Sequence, residues 1–210
     1  MYNPSSLREQ RPELLLQLTQ DFPFATLITV EDGDLQISHV PVVVERSGGS
    51  GAPFTVSGHL ARANAHCKAL ARGCPSVVIF QGPHGYVSPS WYENQPSVPT
   101  WNYVVVHMHG RPQTLDSSGT NLVLRKLIEK FESARNEPWV GDLPDDFLHE
   151  ELAAIVGFEI AVERVDGKFK LGQTKSEADR AGTLIGLERE GDLRGQELAR
   201  FTRAFYAQGR

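Results

Sequence analysis

The chain has 210 residues, 40% hydrophobic and 22% charged, with a formal net charge of −5. That suffices for one substantial core and excludes a uniformly basic nucleic-acid surface. No apolar run reaches the length of a membrane span, and the opening MYNPSSLREQRPELL lacks the apolar stretch of a signal peptide. The cysteines Cys67 and Cys74 fit neither a CxxC redox motif nor a zinc pair. They read as buried free thiols of a reducing cytoplasm.

In chain order, Ser6 and Glu9 have capping-box spacing and Pro12 suits a first helical turn, which predicts a helix over 7–20 with Leu14, Leu15 and Leu18 on its apolar face. ATLITV (25–30), the turn signal EDGD and LQISHVPVVVE (35–45) predict a hairpin. SGGSGAP (47–53) reads as a flexible loop and PFTVSGHL (53–60) as a third strand. A helix over 62–73 is expected to end at Gly73. SVVIF (76–80) and WNYVVVHMHG (101–110) predict two more strands, and Val123, Leu124, Leu127, Ile128 and Phe131 mark an amphipathic helix over roughly 118–134. A shorter helix (145–154) precedes an alternating strand (155–165), a DGK turn (166–168) and a short final strand. Residues 176–208 read as charged and helical, interrupted by Gly182, Gly186, Gly191 and Gly195.

This pattern predicts a mainly β protein with peripheral helices (α+β), whose six or seven antiparallel strands close into a small barrel. No GxGxxG follows a strand and no GxxxxGK[ST] occurs, so neither a Rossmann site nor a P-loop is indicated. No serine sits in a GxSxG elbow, which leaves hydrolysis without support.

The segment from Val77 to Gly110 is the richest in chemistry. Tyr86, Trp91, Tyr92, Trp101 and Tyr103 crowd one connection among Ser, Thr, Asn and His. Aromatics beside hydrogen-bonding groups point to a site for a flat ligand or to a subunit interface. His107 and His109 form an H-x-H on a strand and share one side. With His39, His59 or His84 they could serve a transition metal or haem, although no acid is interleaved with them.

The strings SGHLARAN (57–64), VVIFQGPHGYVSPSWY (77–92), VPTWNYVVVHMHG (98–110), ELAAIVGFEI (151–160) and KLGQTK (170–175) resemble the PaiB family of FMN-binding negative transcriptional regulators. The resemblance runs from the first residues to about Asp179. It implies an FMN-binding split β-barrel, similar to pyridoxamine-phosphate oxidases, assembled as a homodimer with the flavin between subunits. The domain reading that follows is a split barrel over 1–175 and a charged helical extension over 176–210.

In such proteins the flavin phosphate sits where a strand meets the next helix, here SGHLARAN. The resemblance makes Ser57, His59, Arg62 and Asn64 phosphate-side candidates, with Arg62 a charge-assisted donor and free backbone N–H groups at the helix start. Ser88, Ser90, Trp91, Thr100, Trp101 and Asn102 are candidates for the ring, a Trp covering one face and Asn matching the donor–acceptor edge of the pyrimidine. Lys170, Gln173 and Lys175 complete the cofactor set. The family pattern has Ser-Gln-Asn where this chain has Gly172, Gln173 and Thr174, so Gln173 is the retained donor. No metal ligand is assigned. Catalysis is open: if the flavin serves an enzyme, His84 and Tyr86 are the first residues to test. The chain shows no helix-turn-helix, so direct DNA binding has no support in the residues. The alternatives are an FMN-dependent oxidoreductase and a haem- or metal-binding protein.

Overall fold

The computed structural model describes residues 1–48, 52–139, 143–190 and 193–209. The centre of the expected 47–53 loop lies outside them. Among the described residues, seven strands follow the chain as β1 (Arg8–Glu9), β2 (Phe24–Glu31), β3 (Asp34–Arg46), β4 (Phe54–Ala61), β5 (Ser76–Val87), β6 (Thr100–Thr114) and β7 (Ile155–Lys170). The helices are α1 (Pro12–Asp21), α2 (His66–Ala71), α3 (Ser117–Glu132), α4 (Asp145–Ala153), α5 (Glu177–Arg189) and α6 (Leu193–Ala207). The strand order is β1-β7-β4-β3-β2-β5-β6, and β6 pairs again with β7, which is barrel connectivity. The ladders β1–β7, β2–β3, β2–β5, β3–β4 and β4–β7 are antiparallel.

The β2–β3 hairpin forms as expected. Asp32 and Gly33 take φ of 51° and 92°, the left-handed pair that a two-residue turn of this hand requires. Four expectations are corrected. Residues 7–20 are not one helix: a short 3₁₀ turn (Ser5–Leu7) leads into β1, and the helix starts at Pro12. Glu9 is not a capping-box residue. Its carboxylate accepts from the amides of Gln10 and Arg11 and from the Arg11 guanidinium. Asp166–Lys168 does not turn the chain, because Glu9 pairs with Gly167 and Arg8 with Lys168, and β7 runs on to Lys170. Likewise β5 continues past Phe80 through Gly82 and Gly85 to Val87.

The chain forms two compact units, Met1–Arg11 with Gln81–Val105 and Asp166–Arg210, and Pro12–Phe80 with Val106–Val165. The second has the larger share of the sheet. Strand alternation sends Ala25, Leu27 and Val40 inward to join Val42, Val56, Leu70, Phe158 and Ile160 in a closed core. Helix α3 lies on β3 and β4 through Val123, Leu127 and Val43, with Leu115 at the margin. Gly157 lets α3 approach β7: its N–H donates to Thr120 Oγ1 at 3.2 Å, and a Cβ there would meet that same oxygen.

In the first unit α5 and α6 pack together, and α5 also covers the 3₁₀ turn Pro89–Trp91. Asp179 ties that connection to α5 by accepting from the Asn94 backbone N–H at 3.0 Å and from Asn94 Nδ2 at 3.1 Å. The Asn94 amide is the leading cause of a carboxyl held below the usual range. Phe169 meets Phe201 and Phe205 edge-on or tilted, with centroids 5.7 and 5.8 Å away.

Candidate functional site

The phosphate-side candidates lie in the unit that holds β2–β4. A groove there is lined by β3 from Ile37 to Pro41, by His59, Leu60 and Ala61 at the end of β4, by Asn64 and by Ile155. His59 projects from β4 with its Nδ1 buried and without a hydrogen-bond partner. Burial lowers its pKa, so the imidazole is neutral at pH 7. A buried ring nitrogen with no protein partner costs free energy unless a water or a ligand atom meets it. Ser57, two residues back, is buried.

The strand-to-helix junction differs from expectation. Helix α2 begins at His66, and the amides around its start are already bonded. Arg62 N donates to Ala154 O, Asn64 N to Ala61 O, His66 N to Asn64 Oδ1 and Cys67 N to Asn64 O. The open row of N–H groups is therefore largely closed by the turn itself. Arg62 is not a freely solvated side chain either. Nε donates to Ala153 O at the end of α4, at 2.6 Å, and Nη2 to Ile155 O at the start of β7, at 2.7 Å. Carbonyl acceptors carry no charge. The guanidinium thus stays positive and is held in one orientation, with Nη1 unpaired among the described residues. Asn64 faces the groove, and its Nδ2 donates to Ser38 Oγ at 3.2 Å.

The other unit brings Thr100, Asn102, Lys170, Gln173 and Lys175 together in one pocket, joined by Ser6, Leu7, Tyr92 and Val98. Thr100 and Asn102 are two apart on β6 and share a face. Lys170 Nζ donates to Thr100 Oγ1 at 2.5 Å. Burial holds its ammonium below the ordinary lysine range, opposed by Tyr103 and assisted by Lys168. Lys175 Nζ stands 4.1 Å over the Tyr92 ring, a cation–π contact. Gln173 serves its own turn: Oε1 accepts from Leu171 N at 2.8 Å, and Nε2 donates to Phe169 O. Gly172 takes φ +83° there, a conformation that favours glycine.

Ser88, Ser90 and Trp91 are not in that pocket. They line a second one with Tyr86, Leu187 and Glu190. Ser88 Oγ and Ser90 Oγ are 2.7 Å apart, and Ser88 caps the turn by accepting from Ser90 N. The Trp91 ring rests on Gly186 of α5, and its carbonyl faces Gly182, so neither helical position has room for a Cβ. Trp101 points to the opposite face of β6 from Thr100 and Asn102. It is about half exposed and packs with His84 and Tyr86, centroids 6.4 and 6.3 Å away.

His107 and His109 share a face of β6, with ring centroids 6.3 Å apart. Arg164 Nη2 donates to His109 Nε2 at 3.0 Å, which occupies that nitrogen's lone pair. Among the described residues no group of three His, Cys, Asp or Glu is placed to hold a metal ion.

Residues 1–164 match the family described as "Putative FMN-binding domain". This chain belongs to that family. It is 32% identical over 200 residues to the protease synthase and sporulation protein PAI 2 of Bacillus subtilis, covering 95% of each chain. The resemblance read from SGHLARAN and the aromatic loop therefore holds. Its fold is similar to that of the FAD and haem binding protein from Mycobacterium smegmatis, with a TM-score of 0.61 at 19% identity over 83% of this chain and 78% of that one. The flavocytochrome Anf3 from Azotobacter vinelandii gives a TM-score of 0.58 at 17% identity, over 83% and 75%. The expected α+β split-barrel class is thus the observed one, and the chain carries a flavin-binding domain. Among the described residues, no helix is long and apolar enough to cross a membrane.

Proposed function

We propose that the protein binds FMN, as a homodimer, and acts in negative regulation of transcription. The observation that carries the FMN reading is the unpartnered, buried His59 Nδ1 in the groove beside Asn64, in a segment matched by the FMN-binding family. Arg62, fixed by two backbone carbonyls and still charged, supplies the cation that a dianionic phosphate needs nearby. We assign Ser57, His59, Arg62 and Asn64 to the phosphate and ribityl side. Thr100, Asn102, Lys170 and Lys175 suit the hydrogen-bonding edge of the flavin, with Gln173 shaping their turn. Ser88, Ser90, Trp91 and Trp101 remain the aromatic and hydroxyl candidates for the ring.

The dimer reading is supported by the outward face of β2 and β3. Phe24, Val30, Leu35 and Ile37 are all exposed there, with Ile28 half-buried opposite Ile37. Ile28 and Val30 pair with Ile37 and Leu35 across the hairpin, an exposed apolar cluster that supports an interface, and Ile37 also lines the groove. We read residues 1–175 as the flavin domain and 176–210 as an extension bracing the Pro89–Trp91 turn. The free thiols Cys67 and Cys74 accord with a cytoplasmic setting. Regulation through direct DNA contact has no basic motif behind it, so the reading places regulation in the flavin state.

A second reading, an FMN-dependent oxidoreductase, is favoured by the cluster of exposed Trp101 and Tyr86 with half-buried His84. Bound flavin would supply the electron chemistry, and this cluster would hold the small molecule. The test of the phosphate assignment compares FMN with riboflavin by flavin fluorescence quenching. Arg62→Ala should weaken FMN by roughly tenfold or more, the scale of a lost charge-assisted bond, and leave riboflavin unchanged. Equal loss for both flavins would remove Arg62 from the phosphate.

A further inference from the structure

Behind Asn64 runs a buried polar chain whose other members the flavin assignments do not use. Thr29 on β2 and Ser38 on β3 fall on the inward side of their strands, where alternation otherwise places Ala25, Leu27 and Val40. His66 of α2, only 1% exposed, lies between them. Its Nδ1 is 2.9 Å from Ser38 Oγ and its Nε2 is 2.8 Å from Thr29 Oγ1. Thr29 Oγ1 is 2.7 Å from Ser76 Oγ, and Ser76 Oγ donates to Cys74 O at 3.0 Å.

The direction of every bond follows from the two ends. A hydroxyl has one hydrogen. Ser76 gives its own to the Cys74 carbonyl, so Thr29 donates to Ser76. Thr29 must then accept from His66, which places a proton on Nε2. Burial lowers the His66 pKa, opposed by Glu31, and a neutral ring with Nε2–H has a bare Nδ1. Ser38 therefore donates to Nδ1 and accepts from Asn64 Nδ2. At the far end the His66 backbone N–H donates to Asn64 Oδ1 at 3.0 Å, which fixes the amide the same way round. Backbone groups that cannot exchange roles anchor both ends.

We propose that His66 is a positioning residue for the groove. As the Nε2–H tautomer it sets Ser38 and Asn64 so that the wall offers the second Asn64 N–H and a Ser38 lone pair to a bound ligand. The ligand inference rests on the FMN reading above, whereas the tautomer does not.

The test is a pair of variants. The side-chain amide of Asn reaches about as far as Nδ1, and that of Gln about as far as Nε2. His66→Asn keeps an acceptor for Ser38 and loses Thr29. His66→Gln keeps a donor to Thr29 and loses Ser38. Each gives up one buried hydrogen bond, so loss of stability alone predicts equal effects. Positioning through Ser38 predicts that FMN weakens roughly tenfold in His66→Gln, about one hydrogen bond, and stays near wild type in His66→Asn. Equal weakening in both, or none in His66→Gln, overturns the proposal. Long-range ¹H–¹⁵N NMR of the unliganded wild type should show Nε2 protonated and Nδ1 bare, and the reverse also overturns it. If the wild type binds no FMN, the flavin reading fails. The spectrum, with the Asn64 side-chain amide shift in His66→Gln, then decides the positioning role alone.

Discussion

Trp91 and Gly186 show how closely single residues fit. The indole lies on the backbone of α5, and the helix admits it only because Gly186 and Gly182 carry no side chain. From the sequence these glycines look like weak points in a charged helix. Their cost in helix propensity is offset by a contact made with residues some 90 positions away, which no local pattern reveals. Gly186→Ala is predicted to destabilise the fold by about 1–3 kcal/mol through overpacking, read as a lower urea midpoint. An unchanged midpoint would contradict this placement of Trp91. The histidines give a pH signature. His59 and His66 both have pKa values lowered by burial from an ordinary 6.5. Below about 6.5 the unfolded chain takes up protons that the native rings refuse, so stability is full above that pH and falls as pH drops below it. Urea midpoints should fall over that window, and less in His66→Asn. A flat profile would mean that neither ring is buried neutral. His66 and Ser38 were not visible as site residues in the sequence. The signal available was weak: Ser38 and Thr29 sit in the inward register of apolar strands, where a hydroxyl needs a partner.

At the scale of elements, what local chemistry controls was legible. The Asp32-Gly33 turn, the β2–β3 pairing and the amphipathic α3 follow from turn residues and periodicity. What distant pairing controls was not. Asp166-Gly167-Lys168 has turn composition, yet it stays extended because Arg8 and Glu9 lie alongside. The same pairing takes residues 8 and 9 out of the expected N-terminal helix. Alternation alone sets the exposed face of the β2–β3 hairpin, and its apolar side chains carry the dimer reading. Ile37→Glu should convert a dimer into monomers by light scattering, with an unchanged circular-dichroism spectrum because the residue is 55% exposed in the single chain. A dimer that persists would move the interface elsewhere.

For the whole molecule, the family was readable from long motif strings, and residues 1–164 match it. The residue roles were less readable, because a motif names side chains without saying what already occupies them. Arg62 is anchored to backbone carbonyls, Gln173 to its own turn and Trp91 to α5, while His59 keeps an unpartnered nitrogen. FMN binding is best measured by equilibrium dialysis of the purified protein against FMN, FAD and haem, read by visible absorption. One FMN per subunit is expected, held more tightly than FAD, with no Soret band from haem. Retention of haem with no bound flavin would contradict it and return His107 and His109 to the centre of the question.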